Sequence, residues 1–254
     1  MIFNSEQESH EHSLQTLEQL NEHYEFKVSV KNVLDIGCGK DLLDLKYWAS
    51  MTDEFDEDNP GRPLNIDCVG LDKIDISETS EKNIKLRKHD FNLEHGFGEF
   101  KDNFDVVWCH DVMQFSWNPL WFLNNVNRVT NNGGMLYLCV PSTINVLYNQ
   151  FENYTYSGQF STFTMTQLIY MLALNGYDCK DYYIKKEPYV DLLEVITYKI
   201  SDPLDYNTSW YDLLEKDLLT PNMNEIVNKK GYLTNQGLVT IWLDGQVYDY
   251  RYEN

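Results

Sequence analysis

The stretch Val33-Leu34-Asp35-Ile36-Gly37-Cys38-Gly39-Lys40-Asp41 constrains this chain more than any other. A short apolar run ends in an acid and two alternate glycines, then gives way to Leu42, Leu43, Leu45, Tyr47 and Trp48 at helical spacing. That order reads as strand, tight loop, helix. Glycines let the backbone turn sharply and approach a ligand closely. The helix N-terminus behind them offers unpaired N–H groups and a partial positive charge. Such a junction suits a nucleotide-like ligand, although the same pattern also makes an ordinary strand-to-helix turn.

A dinucleotide fingerprint needs a third glycine three residues after Gly39, where Leu42 stands, and a pyrophosphate is thereby disfavoured. Asp35 would repel a phosphate and attract a cationic amino group. This suits the amino-acid end of S-adenosylmethionine.

The following sequence keeps alternating. Ile66 to Leu71 reads as a second strand that ends at Asp72-Lys73. A carboxylate at a strand tip can accept hydrogen bonds from both hydroxyls of a ribose, and an aspartate there also serves as a helix cap or turn residue. Lys85 to Asn92 reads as a short third strand running into a loop, with Asp90 placed to accept from an adenine amino group and Phe91 to cover the ring. Phe104 to Cys109 is a buried-looking strand ending in His110-Asp111, and Trp117 to Val129 a helix, closed by Asn131-Asn132-Gly133-Gly134 as a C-cap turn. Met135 to Val140 is a fifth strand, stopped by Pro141. This alternation implies a parallel sheet covered by helices on both faces, with ligands at the C-terminal ends of the strands. Asp35, Gly37, Asp72, Asp90 and His110 all fall at those ends.

With these elements in order, the chain resembles a class I S-adenosylmethionine-dependent methyltransferase, most similar to the broad small-molecule-type branch. The matching pieces are Asp35-Ile36-Gly37-Cys38-Gly39, Asp72, Asp90-Phe91, Phe104-Asp105-Val106-Val107 and Gly133-Gly134-Met135-Leu136, and they span about residues 25 to 200. The resemblance implies a Rossmann-like, doubly wound α/β sheet of about seven strands, mostly parallel with an antiparallel last hairpin. It implies S-adenosylmethionine as cofactor, with Asp35, Gly37 and Gly39 at its methionine end, Asp72 at the ribose and Asp90 at the adenine with Phe91 alongside; Cys38, Lys73 and His110 are read as further cofactor contacts. Two positions depart from the pattern: Asp41 replaces a third glycine, and Gln114-Phe115 replaces an acidic-histidine pair after the fourth strand.

The expected activity is transfer of a methyl group to an O, N or C nucleophile of an unidentified acceptor, with a small molecule favoured. A different class is a catalytically degenerate fold acting as a binding or assembly protein, and Asp41 and Phe115 are the residues that speak for it. His110 lies where methyl group and acceptor should meet. It is read as a general base, as a contact to the cofactor, or as a loop residue fixed through Asp111.

Three segments complete the organisation: an N-terminal helix over 1–24, the methyltransferase domain over 25–200, and an extension over 201–254. The first helix carries Leu14, Leu17 and Leu20 on a narrow stripe, with His10, His12 and His23 expected on a polar face. Residues 52–65 read as a long acidic surface loop. In the extension, Leu238 to Leu243 and Gln246 to Tyr252 read as a hairpin around Asp244-Gly245 in a two-residue turn, which adds a C-terminal β-hairpin to the fold. Its aromatics, Trp210, Tyr211, Tyr232, Trp242, Tyr248, Tyr250 and Tyr252, are read as packing on the domain or supporting an oligomer or larger assembly.

A net charge of −20 disfavours non-specific nucleic-acid binding. No apolar run is long enough to span a membrane. Five scattered cysteines without a C-x-x-C pair read as free buried thiols in a cytoplasmic protein. No metal site is expected, because neither the histidines nor the acidic loop has ligand spacing.

Overall fold

The computed structural model describes residues 11–18, 30–53, 61–76, 79–93, 96–97, 100, 104–141, 161–180, 183–187, 192–219, 238–241 and 247–250. Five parallel strands build the centre: β1 (Asn32–Ile36), β4 (Asp67–Asp72), β5 (Ile84–Lys88), β6 (Phe104–His110) and β7 (Thr130–Pro141). Antiparallel β8 (Tyr183–Glu187) and β9 (Leu192–Tyr198) follow, then the hairpin β10 (Leu238–Ile241) and β11 (Val247–Tyr250). The order across the sheet is β11-β10-β8-β9-β7-β6-β1-β4-β5. Seven of these strands are the expected mostly parallel core with its antiparallel end. The C-terminal hairpin continues the same sheet through a pairing of Ile241 with Ile184.

Alternation along the strands divides the core into two layers. Leu34, Ile36, Val107, Cys109, Leu136 and Leu138 face α3 (Pro119–Val129) and α4 (Met165–Leu174). Val33, Cys68, Val106, Trp108, Tyr137 and Cys139 face the other way, towards α2 (Leu43–Ser50) and a first helix, α1, over residues 11–18. In α1, Leu17 is fully buried and Leu14 packs against the same layer. Leu20, His10 and His23 lie outside the described residues.

Several boundaries differ from the expectation. Residues 131–134 belong to β7 and do not cap α3, whose C-cap is Thr130 in extended conformation. The strand starts early because Gly133 N–H donates to the Lys199 carbonyl and Lys199 N–H donates to that of Gly134. The buried Lys199 ammonium donates to the carbonyls of Asn127 and Thr130 at the end of α3 (2.9 and 3.0 Å), where a cation also meets the negative end of the helix dipole. The long acidic loop has a short ladder at its base, where β2 (Thr52–Asp53) pairs with β3 (Arg62–Pro63); residues 54–60 lie outside the described set.

In the C-terminal hairpin, Ile241 faces Val247. Residues 242–246, with the expected Asp244-Gly245 turn among them, lie outside the described set. Helix α5 (Trp210–Glu215) of the extension packs on the domain, with Leu213 buried and Trp210 stacked on Tyr170 at 4.8 Å. Tyr211 remains exposed. Tyr232, Trp242 and Tyr252, and the side chains of Tyr248 and Tyr250, lie beyond what is described.

Candidate active site

The sheet reverses its winding direction at β1, which has β4 on one side and β6 on the other. In open α/β sheets this switch point leaves a crevice at the strands' C-terminal ends. Here it holds a cavity of about 640 Å³, lined from β1 by Ile36, Gly37 and Gly39, from β4 by Leu71, Asp72 and Lys73, from the turn after β5 by Asp90, Phe91 and Asn92, and after β6 by His110, Phe115 and Trp117.

The glycine loop is built for close approach. Gly37 has φ +81°, and a Cβ placed on it would sit 2.1 Å from Cγ2 of Val112. Only glycine fits both conditions. The N–H groups of Gly37 and Cys38 are used on the Leu71 carbonyl, which ties the loop to the end of β4. Gly39 N–H donates to Asp72 Oδ2 (3.1 Å), and Ile74 N–H donates to Asp72 Oδ1 (3.1 Å). Both oxygens of Asp72 are thus oriented by backbone at the cavity wall, and each retains capacity for a further donor. Leu42, at the N-cap of α2, is left-handed (φ 55°) and buried, so the position where a dinucleotide loop has glycine is occupied here at some backbone cost.

The opposite wall is similarly fixed. Asn92 N–H donates to Asp90 Oδ1 (2.9 Å), while the Asn92 side chain donates to the Phe115 carbonyl (2.8 Å) and accepts from Trp117 N–H (2.9 Å). One amide therefore joins the turn after β5 to the segment after β6. Phe91 meets Phe122 edge to face at 5.1 Å. Lys73 Nζ lies 5.5 Å from the Phe115 ring centroid, a cation–π contact between two cavity walls. Asp111 adopts φ 57° and accepts from Gln114, which is fully buried in the short 3-10 turn Met113–Phe115.

Of the residues expected at the site, Gly37, Gly39, Asp72, Lys73, Asp90, Phe91 and His110 line this one cavity. Asp35 and Cys38 do not. Strand alternation turns Asp35 to the α1/α2 face, where it is buried beneath the loop, and burial first, then the charges of Asp44 and Asp72, push its carboxyl well above the usual range. The Cys38 thiol lies in that same layer, against α2 and β4. His110 lines the cavity, is largely buried, and has its Nε2 3.2 Å from Nδ1 of His12. Asn92, Asp111 and Trp117 also line the cavity, beyond the residues expected from sequence. Their positions after the ends of β5 and β6 were the available signal.

The crevice thus brings together a strand-end carboxylate (Asp72), an aromatic beside a polar turn (Phe91) and the glycine loop (Gly37 and Gly39). Among comparisons with known proteins, a family model described as a methyltransferase domain matches residues 34–138. No curated protein sequence matches the chain. The fold is similar to the chain bound to the Trm112 methyltransferase activator in a Haloferax volcanii complex: 16% identity, 74% of this chain and 94% of that chain covered, TM-score 0.50. It is also similar to a protein assigned as a sarcosine dimethylglycine methyltransferase from Galdieria sulphuraria, at 11% identity, 74% and 86% coverage, and TM-score 0.53. A third is a Haemonchus contortus phosphoethanolamine N-methyltransferase solved with phosphomonomethylethanolamine and S-adenosylhomocysteine, at 12% identity and TM-score 0.53; 74% of this chain spans 53% of that one. No helix among the described residues is long and apolar enough to cross a membrane. Residues 34–138 thus match a methyltransferase domain, and the fold around them is similar to that of class I S-adenosylmethionine-dependent methyltransferases.

Proposed function

We propose that this protein transfers the methyl group of S-adenosylmethionine to an O, N or C nucleophile of a small-molecule acceptor. The observation that carries the reading is Asp72, aimed along the cavity wall by two backbone N–H groups, one of them from the glycine loop. A carboxylate held this way presents acceptors to a pair of ribose hydroxyls without losing freedom on binding. Gly37 and Gly39 border the methionine end, and Asp90, Phe91 and Asn92 the adenine end. The bound cofactor supplies an activated methyl group on a sulfonium, released to the acceptor with formation of a thioether.

The chain's own contribution is alignment and exclusion of water. Phe115 and Trp117 border the cavity on the side of His110, and a small acceptor enters there. Neighbouring folds whose names refer to dimethylglycine and phosphoethanolamine support a small acceptor. His110 has its Nε2 engaged by His12, so a base role would require Nδ1; we assign the imidazole to shaping the wall. The five free, buried cysteines suit a reducing compartment such as the cytoplasm.

Calorimetry with S-adenosylhomocysteine tests the binding step, and methyl transfer to a panel of small amines, alcohols and carbon acids tests turnover. Binding without any transfer would favour a degenerate fold used for assembly. Absence of binding at millimolar ligand would remove the proposal altogether.

A further inference from the structure

On the α1-facing side of the sheet, three adjacent strands place His110, Cys139 and Glu194 side by side, since His110 pairs with Cys139 and Cys139 with Glu194. Helix α1 covers this row and lowers His12 onto it. We propose that His12 Nδ1, His110 Nε2 and Cys139 Sγ, with the Glu194 carboxylate as fourth donor, bind one zinc(II) ion that fastens α1 to the sheet.

Geometry is the first support. The ligand atoms of His12, His110 and Cys139 lie within 4.8 Å of one another. Tetrahedral zinc with bonds of about 2.0–2.3 Å sets its donors about 3.3–3.6 Å apart. The two ring nitrogens are already 3.2 Å apart, and His12 Nδ1 stands 3.8 Å from Glu194 Oε1.

Charge is the second support. Glu194 is buried, its Oε1 accepts from the hydroxyls of Thr16 and Tyr137 (2.9 and 2.8 Å), and His12 Nδ1 lies 3.8 Å from that oxygen. Two neutral imidazoles, a thiolate and a carboxylate around a divalent ion sum to zero, which is what a low-dielectric site tolerates. Without the ion, burial and the nearby Glu194 charge hold the Cys139 thiol protonated. Binding therefore forms a zinc–sulfur bond and releases the thiol proton to solvent. The proton lying between the two imidazoles moves to the other nitrogen of its ring. Hydroxyl hydrogen bonds to Glu194 would act as the outer shell that orients a ligand.

The sequence hides this set, because the histidines are 98 residues apart and Cys139 lies further along still. Local spacing had placed His12 on a polar face.

The inference does not depend on methyl transfer, and its test reads the metal directly. Full-length protein stripped with a chelating resin is titrated with zinc chloride, then with cobalt(II) chloride as a spectroscopic probe. Expected are one zinc retained per chain, a rise in Tm, and for cobalt the intense bands of tetrahedral coordination plus a thiolate charge-transfer band. Cys139→Ser should abolish the charge-transfer band, and His12→Ala should weaken zinc binding at least tenfold and remove the Tm rise. Should the serine variant fail to fold, His12→Ala, at a half-buried position, decides alone. Less than a tenth of an equivalent of metal, or a thiolate band that survives Cys139→Ser, would overturn the site and leave a histidine–histidine hydrogen bond.

Discussion

Asp72 shows how one side chain can serve both ligand and scaffold. Its oxygens hold the glycine loop and the turn after β4 through Gly39 and Ile74. Asp72→Ala should therefore weaken S-adenosylhomocysteine binding by about 1.5–3 kcal/mol, the range for hydrogen bonds to a charged group; unchanged calorimetric affinity would place the ribose elsewhere. Asp35 makes a different prediction. Its folded-state carboxyl is raised above the ordinary value of about 3.9, so the folded protein holds a proton that the unfolded chain has lost. Stability contributed by this group is present below that pH and is lost as pH rises through the raised value. Asp35→Asn should be nearly neutral at the acid end and stabilising above it, by a margin that widens as pH rises through the raised value. Urea titrations across pH measure the difference, and a gap that does not widen with pH would refute it. That Asp72 and Asp90 would line one crevice was legible from sequence because strand ends announce themselves. The direction of Asp35 was not, because period-two alternation sets its face independently of how near it stands to the glycines.

At the level of elements, legibility depended on whether local chemistry could decide the outcome. Helix α4 is bounded by its own residues: Thr164 and Gln167 form a reciprocal capping box, and Asn175-Gly176-Tyr177 closes the helix with Tyr177 N–H on the Leu172 carbonyl. Gly176 has φ +77°, and a Cβ there would lie 2.2 Å from the Ser201 carbonyl oxygen. Gly176→Ala should cost about 1–3 kcal/mol through strain, and Thr164→Ala about 1 kcal/mol through the lost cap. Chemical denaturation ranks the two, and an alanine at 176 as stable as glycine would contradict the strained turn. The start of β7 could not be read in the same way. Asn131 to Gly134 carry turn chemistry, yet become strand because Lys199, far along the chain, offers its backbone to Gly133 and Gly134. Long-range pairing overrode local preference.

Across the whole molecule, charge is the property no single element reveals. The chain carries −20, and the described ion pairs Lys88–Asp75 and Lys180–Asp217 are exposed, where such pairs stabilise little. Net repulsion should therefore weigh against the compact state and yield to screening. Raising sodium chloride from about 0.01 M to about 1 M contracts the Debye length from about 30 Å to about 3 Å. Each kcal/mol of relieved repulsion raises Tm by about 2–4 °C for a chain of this size. The same field should favour a cationic ligand, since Asp72, Asp90 and Asp111 border the cavity above the buried Asp35. S-adenosylmethionine carries one positive charge more than S-adenosylhomocysteine, so its affinity should fall more steeply with salt. Isothermal titration of both ligands over the salt series measures the two slopes. Equal slopes would mean that Lys40 and Lys73 on the cavity wall cancel the acidic surround where the sulfonium sits.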